Sequence, residues 1–237
     1  SLVLTLVAGA WGPFGHILIG SKVASQLGYT SQDKVYFVAG SVMPDMALAY
    51  GSGGDNTTMH NLFHSPKYLQ ALETLAHTRA QKVWTQGYKV HLIGDGVETP
   101  YSVLKESQGA PFGADFAVDA ILVYEGWFPR GYSIKINSEI RSLILQAWNL
   151  AGFPKFSGMP NGMWVDGAVG NFNFYLGIAY LYPSFFWSIV PPYAQAKLWY
   201  RDYYTYIDLS VRKAVAALGK PVPTPTPYPY PTRRPWR

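Results

Sequence analysis

The sequence contains no cysteine. Disulfides and thiolate metal sites are therefore excluded, and any metal must be held by imidazole, carboxylate or backbone groups. Charge is scarce as well: Asp, Glu, Lys and Arg make up 14% of the 237 residues, well below the usual quarter. A surface so poor in charge is expected to be rich in Tyr, Asn, Ser and Gly, which suits an extracellular protein or one that packs against partners. Long apolar runs are missing too. The opening SLVLTLVAGA is too short to span a bilayer, and so is FFWSIV at 185–190, which fits buried core better than a membrane-interface belt. No repeat of solenoid or propeller period is visible. Histidine is limited to five residues, His16, His60, His64, His77 and His91, and none follows His91.

What is present is apolar and aromatic. Apolar residues reach 49%, enough to build a sizeable core for one large domain or two small ones. Aromatics reach 16%, with 18 Tyr and 8 Trp. The formal net charge of +5 fits attraction to phosphate or an anionic membrane surface. Part of that charge sits in the last residues, at Lys220, Arg233, Arg234 and Arg237.

Three regions differ in composition. Residues 1–10 resemble the end of a secretory signal, with Ala8-Gly9-Ala10 as a small-x-small cleavage site. The alternative is a retained strand, because LVLTLV is β-prone. Residues 220–237 (KPVPTPTPYPYPTRRPWR) form a Pro-rich tail, expected to be extended and polyproline-like. It serves as a spacer, or as an anchor to cell wall, polymer or a neighbouring subunit. Residues 11–219 between them are the expected domain, and the whole is expected to be secreted or displayed at the cell surface.

Within 11–219 the apolar spacing is helical. Helices are expected over 16–27, 35–42, 66–76, 81–94, 112–124, 139–150 and 201–218. Pro66 occupies a favoured first-turn position. Ser138 is the expected cap of the sixth helix, and Gly219 ends the last. Met43-Pro44-Asp45 closes the second. A Gly-rich loop is expected over 47–58 and another over 152–170, with a turn over 126–131. Pro183 and Pro191-Pro192 should break the aromatic stretch 170–206 into shorter helices. The fold class is all-α.

Four local elements carry chemistry. His91-Leu-Ile-Gly-Asp95 places an imidazole and a carboxylate four residues apart, on one helix face, where both can reach one ion. Their neighbours Val90, Leu92 and Ile93 draw that face towards the core, where a buried His and Asp need partners. Trp11-Gly-Pro-Phe-Gly-His16 directly follows the expected cleavage site. If residue 11 becomes the first, its amine, its carbonyl and His16 can chelate an ion. Ser41-Val-Met-Pro-Asp45 puts an Asp at a helix end. His60 and His64, again four apart, fall on one side of a helical turn. His77 suits an ordinary capping or solvated position near a helix end.

In this order, Trp-x4-His, Pro-Asp, a His before a helix and then HxxxD, the elements resemble the zinc-dependent phospholipase C and single-strand-specific nuclease superfamily. The resemblance covers roughly residues 11–125. It implies an all-α, single multi-helix domain of the phospholipase C type. It also implies one zinc on the Trp11 amine, Trp11 carbonyl and His16, and a second on Asp45, His91 and either His60 or His64. Asp95 would bridge the two, so that Asp45 and Asp95 carry the catalytic centre.

The departures are equally specific. The family places another His about six residues after HxxxD, and here Tyr101 stands there, with Glu98 a weak substitute. The later HxxxE or HxxxD that completes a further site is reduced to Asp115-Phe-Ala-Val-Asp119, without its His. Two zinc ions are the most this sequence supports. The implied reaction is hydrolysis of a phosphodiester, with a phospholipid or single-stranded nucleic acid as substrate. Aromatic side chains suit either one, at a lipid interface or stacked on bases. The competing expectation is a secreted structural or surface subunit, possibly polymeric, that keeps the fold without the activity. A third is an aromatic-rich module for a wall polymer.

Overall fold

The computed structural model describes residues 11–45, 56–97, 114–127, 132–154, 163–181 and 192–219. The expectations for residues 1–10, for 185–190 and for the tail 220–237 lie outside the described residues, as do Glu98 and Tyr101. Among the described residues there are ten α-helices and no strand, in keeping with the all-α expectation.

The first five helices frame the region of interest. Helix α1 (Pro13–Gln26) starts with Pro at its first turn, where a missing N–H costs nothing. Gly28, at φ +77°, lets the chain reverse after it. Helix α2 (Ser31–Gly40) leads into a single 3₁₀ turn that ends at Asp45. Helix α3 (Asn56–Phe63) begins inside the stretch expected to be loop. Helix α4 (Pro66–Leu75) is capped by the Ser65 hydroxyl, which accepts from Tyr68 N at 3.3 Å. Helix α5 (Arg79–Asp95) opens with a reciprocal cap, in which Thr78 accepts from Gln81 N and the Gln81 side chain accepts from Thr78 N.

The remaining helices are α6 (Ala114–Tyr124), α7 (Ser138–Leu150), α8 (Met163–Leu181), α9 (Tyr193–Trp199) and α10 (Tyr203–Ala217). Helix α5 is the axis of the fold. It packs against α1, α2, α4, α7 and α10. Val83, Trp84, Tyr88 and Val90 are all buried, which spreads its apolar contact over more than one face.

Two glycines set how closely α2 and α5 cross. A Cβ at Gly87 would lie 1.9 Å from the Phe37 carbonyl oxygen, and one at Gly40 would lie 2.1 Å from that of Trp84. Backbone therefore meets backbone at this crossing, and only glycine fits. Two buried tyrosines fix the α3–α4 corner. Tyr88 donates its hydroxyl to the Phe63 carbonyl, and Tyr68 donates to the Ile144 carbonyl at 3.0 Å. Both phenols are raised well above their ordinary pKa by burial, so they stay neutral donors.

Two further sequence expectations are corrected. The cap of α7 is Asn137 rather than Ser138, its side chain accepting from Ile140 N at 2.9 Å. The expected loop over 152–170 turns helical at Met163. Gly167 and Gly170 there each cost about 1 kcal/mol of helix propensity. Trp164, Val165, Ala168, Phe172, Leu176 and Ala179 form one buried helical face that outweighs it.

Glu125 ties three helices together at the end of α6. Its carboxylate accepts from Trp127 Nε1 (3.2 Å), Tyr193 Oη (3.0 Å) and Tyr203 Oη (2.7 Å), and it pairs with Lys197. Partial burial pushes its pKa up, but the hydrogen bonds from Lys197, Tyr203 and Trp127 hold it below the ordinary glutamate value. A lowered folded-state pKa adds stability that is present above the unfolded value and is lost as pH falls through the folded one. Between about pH 6 and pH 3, Glu125→Gln is therefore expected to lose less melting temperature than the parent. A parallel decline of the two curves would show that this carboxylate contributes nothing.

Candidate metal centre

Four elements deliver six titratable side chains to one buried point: His16 from α1, Asp45 from the turn after α2, His60 and His64 from the end of α3, and His91 and Asp95 from α5. His16, Asp45, His60 and His91 are buried, and His64 and Asp95 are nearly so. The four-residue spacing of His91 and Asp95 works as helical geometry requires. Asp95 Oδ2 lies 3.1 Å from His91 Nε2 and 3.0 Å from His64 Nε2. Its other oxygen, Oδ1, is 3.1 Å from His16 Nε2. Asp45 faces the same group from the opposite side, with Oδ1 3.6 Å from His60 Nε2 and 3.7 Å from His91 Nε2. Its Oδ2 lies 3.8 Å from His16 Nε2.

The rings are held by backbone carbonyls and by each other. His91 Nδ1 sits 2.9 Å from the Ser41 carbonyl, and His64 Nδ1 sits 2.8 Å from the His60 carbonyl. A carbonyl oxygen only accepts, so in each ring the proton belongs on Nδ1 and Nε2 carries a lone pair. Ser41 Oγ in turn donates to the carbonyls of His16 (3.1 Å) and Val38 (2.9 Å), which knits α1 to the end of α2. His16 stacks on His91 with ring centres 3.6 Å apart, and His60 stacks on His64 at 3.8 Å.

This arrangement presents lone pairs to lone pairs. His64 Nε2 and His91 Nε2 are 3.0 Å apart, and Asp95 Oδ2 is as close to both. With the rings neutral, three electron-rich atoms meet with no hydrogen between them. His16 Nε2, Asp45 Oδ2 and Asp95 Oδ1 are buried without a hydrogen-bond partner. Such a cluster is stable only around positive charge, supplied by protons or by a metal ion. Ligand atoms of His16, His91 and Asp95 lie within 4.8 Å of one another, and so do those of Asp45, His64 and His91. The residues fit a bound cation, in two triads that share His91.

Titration follows the same logic. Burial pushes the His16 and His64 pKa values down, but the Asp95 and Asp45 charges more than offset it and leave both raised. Burial and the neighbouring His16 leave His91 lowered. Burial pushes both carboxyls up, yet the surrounding imidazoles hold Asp45 below and Asp95 well below the ordinary carboxylate range. Both acids are thus anionic at neutral pH and available as hard ligands.

Trp11 stands beside this group. Its indole is buried, with Nε1 donating to Ser210 Oγ at 3.1 Å. A Cβ at Gly94 would make ordinary contact with both the His16 ring (3.6 Å) and the Trp11 ring (3.7 Å), so the two side chains lie against α5 at this point. His77 is exposed and outside the cluster; its backbone N–H donates to Gln81 Oε1.

Two contributors carry little sequence signal. The Ser41 carbonyl that orients His91 is a backbone atom and leaves no mark in the residue pattern. Asp119 is the second, a carboxylate that the sequence places in no ligand set. It is fully buried on α6 and accepts from Phe14 N (3.0 Å) and Gly15 N (2.9 Å), capping α1 from outside, where Gly12 offers no side chain. It belongs to neither ligand triad.

No family model matches the chain, and comparison with curated proteins and with solved structures finds no match. The metal centre therefore rests on its own geometry.

Proposed function

We propose that this protein is a secreted, zinc-dependent phosphodiester hydrolase of the phospholipase C and single-strand nuclease kind, with a reduced site of at most two ions. The observation that carries the reading is the confrontation of His64 Nε2, His91 Nε2 and Asp95 Oδ2 within about 3 Å, which calls for a cation at that point. Nitrogen and carboxylate donors without thiolate suit zinc.

Asp45, His64 and His91 would hold one ion, with His60 stacked behind His64. His16 and Asp95 would hold the other, joined by the amine and carbonyl of Trp11 once residues 1–10 are removed. Asp95, with one oxygen towards each group, is placed to serve both. Bound zinc would supply Lewis acidity towards a phosphoryl oxygen and a water ionised near neutral pH. The chain's own part is orientation. The Ser41 and His60 carbonyls hold two rings in the ligating tautomer, as outer partners of metal sites commonly do. Two divalent ions against two carboxylates would leave a doubly loaded site net positive, which favours an anionic phosphodiester. Phospholipid and single-stranded nucleic acid are the two substrates this chemistry suits.

A second reading has one specific observation in its favour. Asp119 is used up as a helix cap, and no His follows His91, so a third ion has no ligands among the described residues. A non-catalytic secreted subunit that retains the fold would be free to lose that site.

Metal analysis and hydrolysis together decide between them. Protein purified without chelator is expected to carry about two zinc ions per chain. It should cleave bis(p-nitrophenyl) phosphate, with activity lost to a chelator and restored by zinc. Phosphatidylcholine vesicles and single-stranded DNA then separate the two substrate classes. Zinc without any hydrolysis moves the assignment to the structural subunit. A chain that binds no metal overturns the hydrolase.

A further inference from the structure

His16 stands on the first turn of α1, and three neighbours fix that turn from outside. Asp119 on α6 accepts from Phe14 N at 3.0 Å and from Gly15 N at 2.9 Å. Ser41 Oγ donates to the His16 carbonyl at 3.1 Å, and Ser210 Oγ accepts from Trp11 Nε1 at 3.1 Å. Gly15 lies between two of these holds. Its N–H donates to Asp119, and a Cβ on it would come within 3.0 Å of the Trp11 Cβ, tighter than an ordinary contact. The turn is therefore gripped between the Asp119 carboxylate and the Trp11 side chain, with His16 the next residue along.

A cap alone does not call for this arrangement. A Ser or Asp at residue 12 would satisfy the same N–H groups locally, whereas Gly12 supplies no side chain. Instead a carboxylate with 0% exposure is brought from 104 residues away in sequence. A buried charge is costly unless its partners are fixed. Here the partners are the first N–H groups of a helix, where the dipole also favours negative charge. The carboxylate thus ties α6 to one position of the α1 N-terminus.

We infer that Asp119 is a positioning residue for one half of the centre, holding α1 so that His16 meets Asp95 and His91 before any ion binds. The inference rests on the reading of the cluster as a metal centre. It concerns the triad of His16, His91 and Asp95. The other triad takes Asp45 from the turn after α2, His64 from the end of α3 and His91 from α5, and nothing from α1. Loss of Asp119 should therefore weaken one ion and spare the other.

Zinc titration of the purified chain against a chromophoric chelator tests this. In Asp119→Asn the amide keeps one oxygen and turns an NH₂ towards the second N–H, so one of the two bonds is lost. One ion is expected to bind as in the parent, and the other about 10–100-fold more weakly, the scale for loss of an outer partner. Asn173→Ala is the control for lost hydrogen bonds alone. Its side chain holds the Ile134 backbone (2.7 and 3.0 Å) from α8, which supplies neither triad, so both ions should bind as in the parent. Parent affinity for both ions in Asp119→Asn would reduce Asp119 to a structural cap. Equal weakening of both would end the separation into halves. A parent chain that takes up no zinc overturns the metal reading itself, and this inference with it. A second measurement needs no variant and so holds even where Asp119→Asn fails to fold. In the metal-free parent, the Phe14 and Gly15 amides are expected to be protected from deuterium exchange. Free exchange that slows only when zinc is added would show that the ion, not Asp119, orders the turn.

Discussion

Replacement of Asp95 by asparagine is expected to empty the centre. The amide keeps the shape of the carboxylate and one acceptor oxygen, so the substitution isolates charge and ligation from volume. Both carboxylates face different histidines with their two oxygens, but Asp95 is the nearer, with Oδ1 3.1 Å from His16 Nε2 and Oδ2 3.0 Å from His64 Nε2 and 3.1 Å from His91 Nε2. An asparagine cannot supply two anionic donors, and its NH₂ would point a donor where lone pairs or a cation are needed. Zinc content should fall from about two ions per chain towards none. Phosphodiester hydrolysis should fall by about 10³-fold or more, the scale on which loss of charge stabilisation at a reacting phosphoryl group is felt. His77→Asn serves as the control, since His77 is exposed and outside the cluster, and both readouts should match the parent. An Asp95→Asn protein with full zinc and full activity would show that Asp95 only neutralises imidazolium, and the bridging role would have to be given up.

How far the sequence carries the site depends on which forces place each residue. His91 and Asp95 are legible because a spacing of four on a helix fixes a shared face whatever the rest of the fold does. Their apolar neighbours give the direction of that face, and the 3₁₀ turn at Asp45 follows from Pro44 after an apolar helix. His60 and His64 are visible as a pair, but the spacing offers no choice between them. Packing resolves them into different places, His64 against Asp95 and His91, and His60 against Asp45. The Trp11 indole beside His16 agrees with the local WGPFGH pattern, whereas its hydrogen bond to Ser210 joins residues 199 apart in sequence, beyond the reach of any local pattern. Asp119 lies beyond that reach as well: the sequence assigns it to no ligand set, and a long-range need for a cap on α1 claims it. Helix α8 is hidden over its first half because Gly167 and Gly170 read as breakers. Their local penalty is small beside the burial of the face opposite them.

The same residue type has the reverse weight in α5, and that asymmetry gives the second large effect. Gly87→Ala is expected to destabilise the fold by about 3 kcal/mol or more, the upper end for overpacking, because the added methyl would sit 1.9 Å from a carbonyl oxygen. A side chain in the way can change rotamer, but the Phe37 carbonyl belongs to helix α2 and moves only if the helix does. For a chain of this size the loss corresponds to a melting temperature lower by about 10 °C. The damage should reach the centre as well. Sliding α5 away from α2 takes His91 from the Ser41 carbonyl that holds its tautomer, so zinc affinity should drop by about 10–100-fold, as when an outer partner of a ligand is lost. Gly94→Ala in the same helix is the matched comparison. Its Cβ would make only ordinary contacts, 3.6 Å to His16 and 3.7 Å to Trp11, so the gain in helix propensity should leave stability unchanged or raised by up to about 1 kcal/mol. Thermal melts of the metal-free proteins read both. Equal melting temperatures for Gly87→Ala and the parent would mean that α2 and α5 do not cross backbone to backbone, and that crossing could then no longer be what sets His91 against the Ser41 carbonyl.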